Sequence, residues 1–181
     1  LVGAGVSYCA TCDGAFFKEK AVAVVGGGDT AISDALYLSR FCTSVTVVHR
    51  RDEFRAAAVL VEKAKQVPNI HFALSSVPVN LIGECCVQGL EIMDLKTTAQ
   101  RVLPVSGVFV AVGITPQSAL VKGVVNMNEG GSILTDELMK TNIPGVYAAG
   151  DIRNTPLRQV ITACADGAVA ATSALEFISC H

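Results

Sequence analysis

Charge is scarce in this sequence. Charged residues make up 17% of the chain against 51% hydrophobic ones, a balance that excludes a disordered polypeptide. The formal net charge of −2 lacks the basic excess of a general nucleic-acid binder. No apolar run approaches the ~20 residues needed to span a bilayer, and no basic segment followed by an apolar one marks a secretory signal. Histidine is also rare. Three histidines, one Cys-x-x-Cys and an adjacent Cys85-Cys86 pair do not supply four zinc ligands, so no metal is expected. Seven cysteines, odd in number and irregularly spaced, do not form a disulfide framework in a chain of this size. Internal repeats and low-complexity tracts are absent. What remains is one or two globular domains with a sizeable core. The expected setting is a reducing cytoplasm, with neither nucleic acid nor membrane as partner.

The patterned segments are those of an α/β chain. AVAVVGGG (21–28) reads as a buried strand ending in a tight turn, DTAISDALYLSRF (29–41) as a helix with an apolar face, and SVTVVHRR (44–51) as the next strand. Together they predict a β-turn-α-β unit with parallel strands. AAAVLVEKAKQ (56–66) is a second helix stopped by Pro68, and NIHFAL (69–74) a third strand. From Val77 to Leu103 the pattern becomes short extended segments separated by turns, an antiparallel meander. GVFVAVGITP (107–116) is another buried strand, NIPGVYAAGDI (142–152) a strand and turn, and residues 157–178 a long helix. The composition break between Pro104 and Gly107 predicts a boundary, giving units 1–106 and 107–181.

Two motifs carry chemistry. Gly26-Gly27-Gly28-Asp29-Thr30-Ala31 fits G-x-G-x-x-A between a strand and a helix. Gly26 permits the tight turn, Gly28 lets a pyrophosphate approach, Ala31 allows close helix–strand packing, and the helix N-terminus offers its N–H groups. At the end of the next strand, where an acid would bond the ribose of NAD, stand His49, Arg50 and Arg51, with Arg55 one turn on. Guanidinium groups there favour a 2′-phosphate, hence NADPH. The second motif is Cys9-x-x-Cys12 followed by Asp13: two thiols that can close a small disulfide beside an acid able to carry the proton of thiol exchange. A hydride carrier and a disulfide exchange electrons through a flavin. The tail offers a matching site: Asp151 after Gly150, suited to a ribityl hydroxyl, and backbone N–H groups at Arg158, Gln159 and Val160 suited to the isoalloxazine.

These motifs, in this order, resemble the later part of the low-molecular-weight thioredoxin reductases. Cys9-Ala10-Thr11-Cys12-Asp13-Gly14, the GGGDTA loop, His49-Arg50-Arg51 with Arg55, Ala111-Val112-Gly113 before Thr115-Pro116, Gly145 to Asp151, and Arg158-Gln159 carry the likeness. The resemblance implies a Rossmann-like three-layer α/β NADPH-binding domain with an antiparallel β-meander, plus the C-terminal part of an FAD-binding domain, in a homodimer that reduces thioredoxin. It implies that Cys12 faces the flavin, Cys9 attacks the disulfide of thioredoxin and Asp13 is the acid/base. It adds Gly113 to the NADPH site, and assigns Asp151 with the Arg158–Val160 backbone to FAD.

One part of the family pattern has no counterpart. VGAGVSY (2–8) has Gly3-x-Gly5, but Tyr8 occupies the position that needs a small residue. The segment that holds the ADP moiety of FAD in the family is therefore not matched. The chain alone is expected to bind NADPH, hold FAD weakly or not at all, and turn over little thioredoxin. Competing readings are the flavoprotein subunit of an alkyl hydroperoxide reductase, whose usual NADH the basic cluster disfavours, and a non-catalytic NADPH-binding module. A thioredoxin-like carrier fits worst, because its dithiol would follow a strand. Cys42 and Cys164 read as small helix-packing residues.

Overall fold

The computed structural model describes residues 1–180. It contains two compact units, Leu1–Gly113 and a second beginning at Ile114. The first is built on a five-stranded parallel sheet. In chain order its strands are β1 (Val6–Ser7), β2 (Ala21–Val25), β3 (Ser44–Val48), β4 (Ile70–Ala73) and, after the meander, β8 (Gly107–Val110). Across the sheet the order is β1-β8-β2-β3-β4. The meander is a separate antiparallel sheet of β5 (Ser76–Ile82), β6 (Gly89–Asp94) and β7 (Gln100–Leu103). Helices are α1 (Ala10–Asp13, one turn), α2 (Asp29–Leu38) and α3 (Ala58–Lys65).

The composition of β2 dictates the layering. A strand apolar at every position can be buried on both faces, and Val22, Ala23 and Val24 are fully enclosed. Val22 and Val24 pack with Ala31, Ile32, Ala35 and Leu38 of α2. Ala23 and Val25 point the other way, into a core with Leu90 and Ile92 of β6 and Leu103 of β7. The result is three layers: helices, parallel sheet, antiparallel sheet. The expected α/β class and the meander are both present.

The expected boundary at 106/107 falls instead after Gly113. Gly107–Val110 is an inner strand, paired with β2 on one side and β1 on the other. A Cβ at Gly107 would run into the Phe17 ring, which meets Phe109 edge-on with centroids 5.2 Å apart. Pro104 and Ser106 thus mark the crossing from meander back to sheet, which composition alone could not separate from a linker. Helix α2 also stops earlier than expected. Asn69 donates to the carbonyls of Ser39 and Cys42 and closes the chain after Leu38. Cys42 is buried as expected; its thiol points at the Phe17 carbonyl, and burial pushes its pKa up to about 11.

The second unit holds α4 (Val160–Cys180) on irregular chain. The strand expected in 142–152 is absent among the described residues; single bridges such as Lys140–Tyr147 and a 3-10 turn over Gly150–Ile152 stand there. A strand needs a continuous ladder partner, and none runs beside this segment within the unit. The expectation on apolar runs also needs correction. At 21 residues, with a mean hydropathy of 1.3 over its best window, α4 is long and apolar enough to cross a membrane by length and composition. Asp166 and Glu176 interrupt it in sequence, and Asp166 pairs with the buried Arg153 at 3.3 Å. The Tyr147 hydroxyl donates to the Ser173 carbonyl and the Ser173 hydroxyl to that of Leu138, so one face of α4 is docked on its own unit. Cys164, expected to pack, is exposed.

On α2, burial raises the Asp34 carboxyl to about 6. The folded state therefore holds this proton more tightly than the unfolded chain, and stability falls as pH rises from about 4 through about 6. Asp34→Asn should remove that component of the pH dependence and raise stability at neutral pH by on the order of 1–3 kcal/mol. Urea unfolding of both proteins across this pH range checks it.

Candidate nucleotide and dithiol sites

Three adjacent glycines at the end of β2 do three different jobs. Gly26 has φ +154, and a Cβ there would lie 2.9 Å from the Cβ of Ala31 and against the Ala111 carbonyl. The pairing of Gly26 with a small residue at 31 is thus steric. Gly27 has the His49 imidazole where its side chain would be. Gly28 caps α2 with no side-chain partner, and its missing Cβ faces open space. An open approach to a backbone that begins a ten-residue helix is the cradle a phosphate needs. Thr30 is exposed in the first turn.

The basic segment after β3 folds back over this turn. The Arg55 N–H donates to the Gly27 carbonyl at 2.8 Å, and the Ala57 N–H to the Asp29 carboxylate at 2.7 Å. Asp29 is therefore a tether; its carboxylate is turned to the peptide of Ala57. His49 is 4% exposed, stacked on Phe54 and bonded through Nε2 to the Glu53 carbonyl at 3.1 Å. A carbonyl only accepts, so Nε2 carries the proton. Burial lowers the His49 pKa, the Glu53 bond opposes this, and Arg55, Arg51 and Arg50 lower it further. The expected nucleotide set thus divides by role: Asp29 and His49 hold the loop, while Arg50, Arg51 and Arg55 are exposed.

No ion pair engages the three guanidiniums among the described residues. Asp52, which follows Arg51 in sequence, is taken by Lys96 at 2.8 Å and by the Ser75 hydroxyl; these two partners lower its pKa. Gly26, Gly27, His49, Arg50 and Arg55 line a cavity of about 260 Å³ with Ser76–Pro78 and Ala111–Val112. Gly113 follows at φ +108, with open space around its missing Cβ. Glycine turn, helix end and guanidiniums together fit a nucleotide with an extra phosphate.

Cys9 and Cys12 form a disulfide, with Cα atoms 5.3 Å apart. Cys9 caps α1: its sulfur accepts the Cys12 N–H at 3.2 Å, and its carbonyl accepts the Asp13 N–H at 3.1 Å. Cys12 is exposed and Cys9 half-buried. The Ser7 hydroxyl, buried at the end of β1, donates to the Asp13 carboxylate at 2.6 Å. Its oxygen also accepts the Cys9 N–H at 3.1 Å. Serine 7 thus ties the acid to the redox turn. Neither cysteine nor Asp13 lines the glycine-turn cavity.

In the second unit, Asp151 is exposed after Gly150, whose φ is +77. The Gly150 N–H donates to Asp166, the Arg158 Nε–H to the Asp151 carbonyl at 3.4 Å, and the Gln159 N–H to the Thr162 hydroxyl at 3.1 Å. One of the three backbone donors expected for a flavin is therefore committed inside the turn; Val160 is 82% exposed. The free carboxylate of Asp151 fits a hydroxyl-rich ligand. Sequence reasoning missed Gly27, Ser7 and the Arg153–Asp166 pair, because a glycine inside a glycine run, a serine and a distant ion pair carry no local pattern.

A dinucleotide-type glycine turn and a redox-spaced disulfide in one α/β unit define a protein that joins pyridine nucleotide to disulfide chemistry. Residues 1–167 match the family described as pyridine nucleotide-disulphide oxidoreductase, and the chain belongs to it. It is 46% identical, over its whole length, to a thioredoxin reductase of Peptoclostridium acidaminophilum, of which it covers 59%. It is 43% identical to a bifunctional thioredoxin reductase/thioredoxin of Mycobacterium leprae, covering 40% of that protein. The crystal structure of thioredoxin reductase from Streptococcus pyogenes superposes with a TM-score of 0.94 at 41% identity, over 98% of this chain and 58% of that one. The chain thus spans less than two thirds of the relatives it matches.

The glycines separate folding from binding. Gly27→Ala should cost about 1–3 kcal/mol of stability through overlap with His49. Gly28→Ala, in open space at φ −97, should change stability by less than about 1 kcal/mol yet weaken NADPH binding at least about tenfold, by obstructing phosphate approach. Unfolding curves and NADPH fluorescence titrations read the two effects.

Proposed function

We propose that this chain carries the NADPH-binding and dithiol-bearing part of a thioredoxin reductase, with a portion of the FAD site in its second unit. The observation that supports this most is the oxidised Cys9–Cys12 pair, with Asp13 held by Ser7, in the same compact unit as a glycine turn whose cavity is lined by Arg50 and Arg55. Arg50, Arg51 and Arg55 bind the 2′-phosphate, Gly26–Ala31 and the α2 N-terminus the pyrophosphate, and Gly113 lets the chain pass close to the nucleotide. Asp151 and the backbone at Arg158 and Val160 contact FAD, while the Gln159 N–H, held by the Thr162 hydroxyl, shapes the turn that presents them. When bound, the flavin supplies two-electron transfer between a nicotinamide and a disulfide.

Thiol exchange is the chain's own work. The Cys9 thiolate attacks one sulfur of a thioredoxin disulfide, and a mixed disulfide forms as the other sulfur leaves. Cys12 then attacks Cys9, restoring the Cys9–Cys12 bond and releasing the second thiolate. Two electrons pass to the partner, and Asp13 supplies protons to the departing sulfurs. The fused thioredoxin module named in the Mycobacterium leprae relative supports thioredoxin as the partner. A homodimer and a cytoplasmic setting rest on the resemblance. The basic cluster favours this reading over the flavoprotein subunit of an NADH-dependent alkyl hydroperoxide reductase.

Titrating the chain with NADPH and NADH tests the proposal: NADPH should bind at least about tenfold tighter. Combined Arg50→Ala, Arg51→Ala and Arg55→Ala should erase that preference while leaving NADH affinity within about threefold. Equal affinities in the unaltered chain would overturn the NADPH assignment. Ser7→Ala should slow reaction of the reduced dithiol with oxidised thioredoxin by up to about tenfold, and move its pH profile, because Asp13 loses its anchor.

A further inference from the structure

The β5–β6 connection carries Glu84, Cys85 and Cys86, which neither the nucleotide site nor the redox disulfide uses. Both thiols are free and exposed. In a regular strand, adjacent side chains point to opposite faces. Here the chain bends through residues 84–86, which breaks that alternation. Gly83, at φ +136, is overlain by the Cys86 carbonyl where a side chain would stand. Cys85 and Cys86 consequently line one hollow, with Ile82, Gly83, Glu84 and Gln88. The loop is clamped below the thiols. Gln88 N–H donates to the Ile82 carbonyl at 2.8 Å, and Val87 N–H to the Ala4 carbonyl at 2.9 Å; the Val87 side chain is buried, in the place a side chain on Gly5 would take.

We infer that Cys85 and Cys86 form a chelating site for thiophilic trivalent arsenic, separate from the Cys9–Cys12 pair. Two thiols on one tethered turn act as a single bidentate ligand: once the first As–S bond forms, the second thiol is held at high effective concentration. With hydrated phenylarsine oxide, two As–O bonds break and two As–S bonds form. The thiol protons leave with the oxygens as two waters, and arsenic stays trivalent. The other free cysteines offer no such pair: Cys42 is buried, and Cys164 and Cys180 stand sixteen residues apart on α4. Cys9 and Cys12 are joined to each other and have no thiol to give while oxidised.

The test uses a Cys9→Ser/Cys12→Ser chain, reduced and desalted, so that the redox pair cannot compete. Phenylarsine oxide should add once per chain by intact mass and lower the titratable thiols by two. Adding Cys85→Ser or Cys86→Ser should weaken the adduct at least about tenfold, whereas Cys164→Ser/Cys180→Ser should leave it intact. Both exposed positions tolerate serine without loss of packing, and unchanged NADPH binding confirms the fold. No adduct on the parent, or one that survives Cys85→Ser, overturns the proposal.

Discussion

The imidazole of His49 against the bare backbone of Gly27 is the contact on which the nucleotide site depends. It fills the space a side chain would occupy, stacks on Phe54 and fixes the carbonyl of Glu53. The backbone bond from Arg55 to Gly27 and the Asp29–Ala57 tether then close the loop on the turn. Because His49 is buried and its pKa lowered, the ring is neutral and leaves the positive charge to the exposed arginines beside it. A charged ring in that place would add repulsion and desolvation cost at once.

The layers beneath follow from a sheet buried on both faces. Parallel strands need cover on each side; α2 and α3 provide it on one face and the meander on the other. The meander does more than cover. Ser76–Pro78, at the start of β5, forms a wall of the glycine-turn cavity, and Asp52 is drawn from the arginines by Ser75 and by Lys96 of the β6–β7 turn. A layer whose burial stabilises the fold thereby also keeps the cluster cationic.

The redox turn is organised locally. Cys9 caps a single helical turn, so the disulfide closes over a backbone already shaped for it, and Ser7 holds both the Cys9 peptide and the Asp13 carboxylate. Five further cysteines show how context divides one residue type. Cys42, enclosed in the core with its pKa raised, is a packing group, while the neighbours Cys85 and Cys86 stand free on a clamped turn.

Much of this was legible before any coordinates. The run AVAVV, the glycine turn, the start of the helix after it and the Cys-x-x-Cys are local patterns, set by neighbours a few residues apart, and they appear where expected, although the helix ends three residues early. What the chain could not declare alone were relations between distant residues. That Gly107–Val110 is an inner strand depends on β1 and β2 pairing with it. That the His49 ring is wedged against the backbone depends on Gly27, twenty-two positions earlier. That residues 142–152 form no strand depends on the absence of a ladder beside them in their unit. Sequence therefore determined the elements and the residue types suited to nucleotide and thiol chemistry. Tertiary structure decided which of them face solvent and which are spent holding the others, because burial and pairing are properties of contacts and not of single positions.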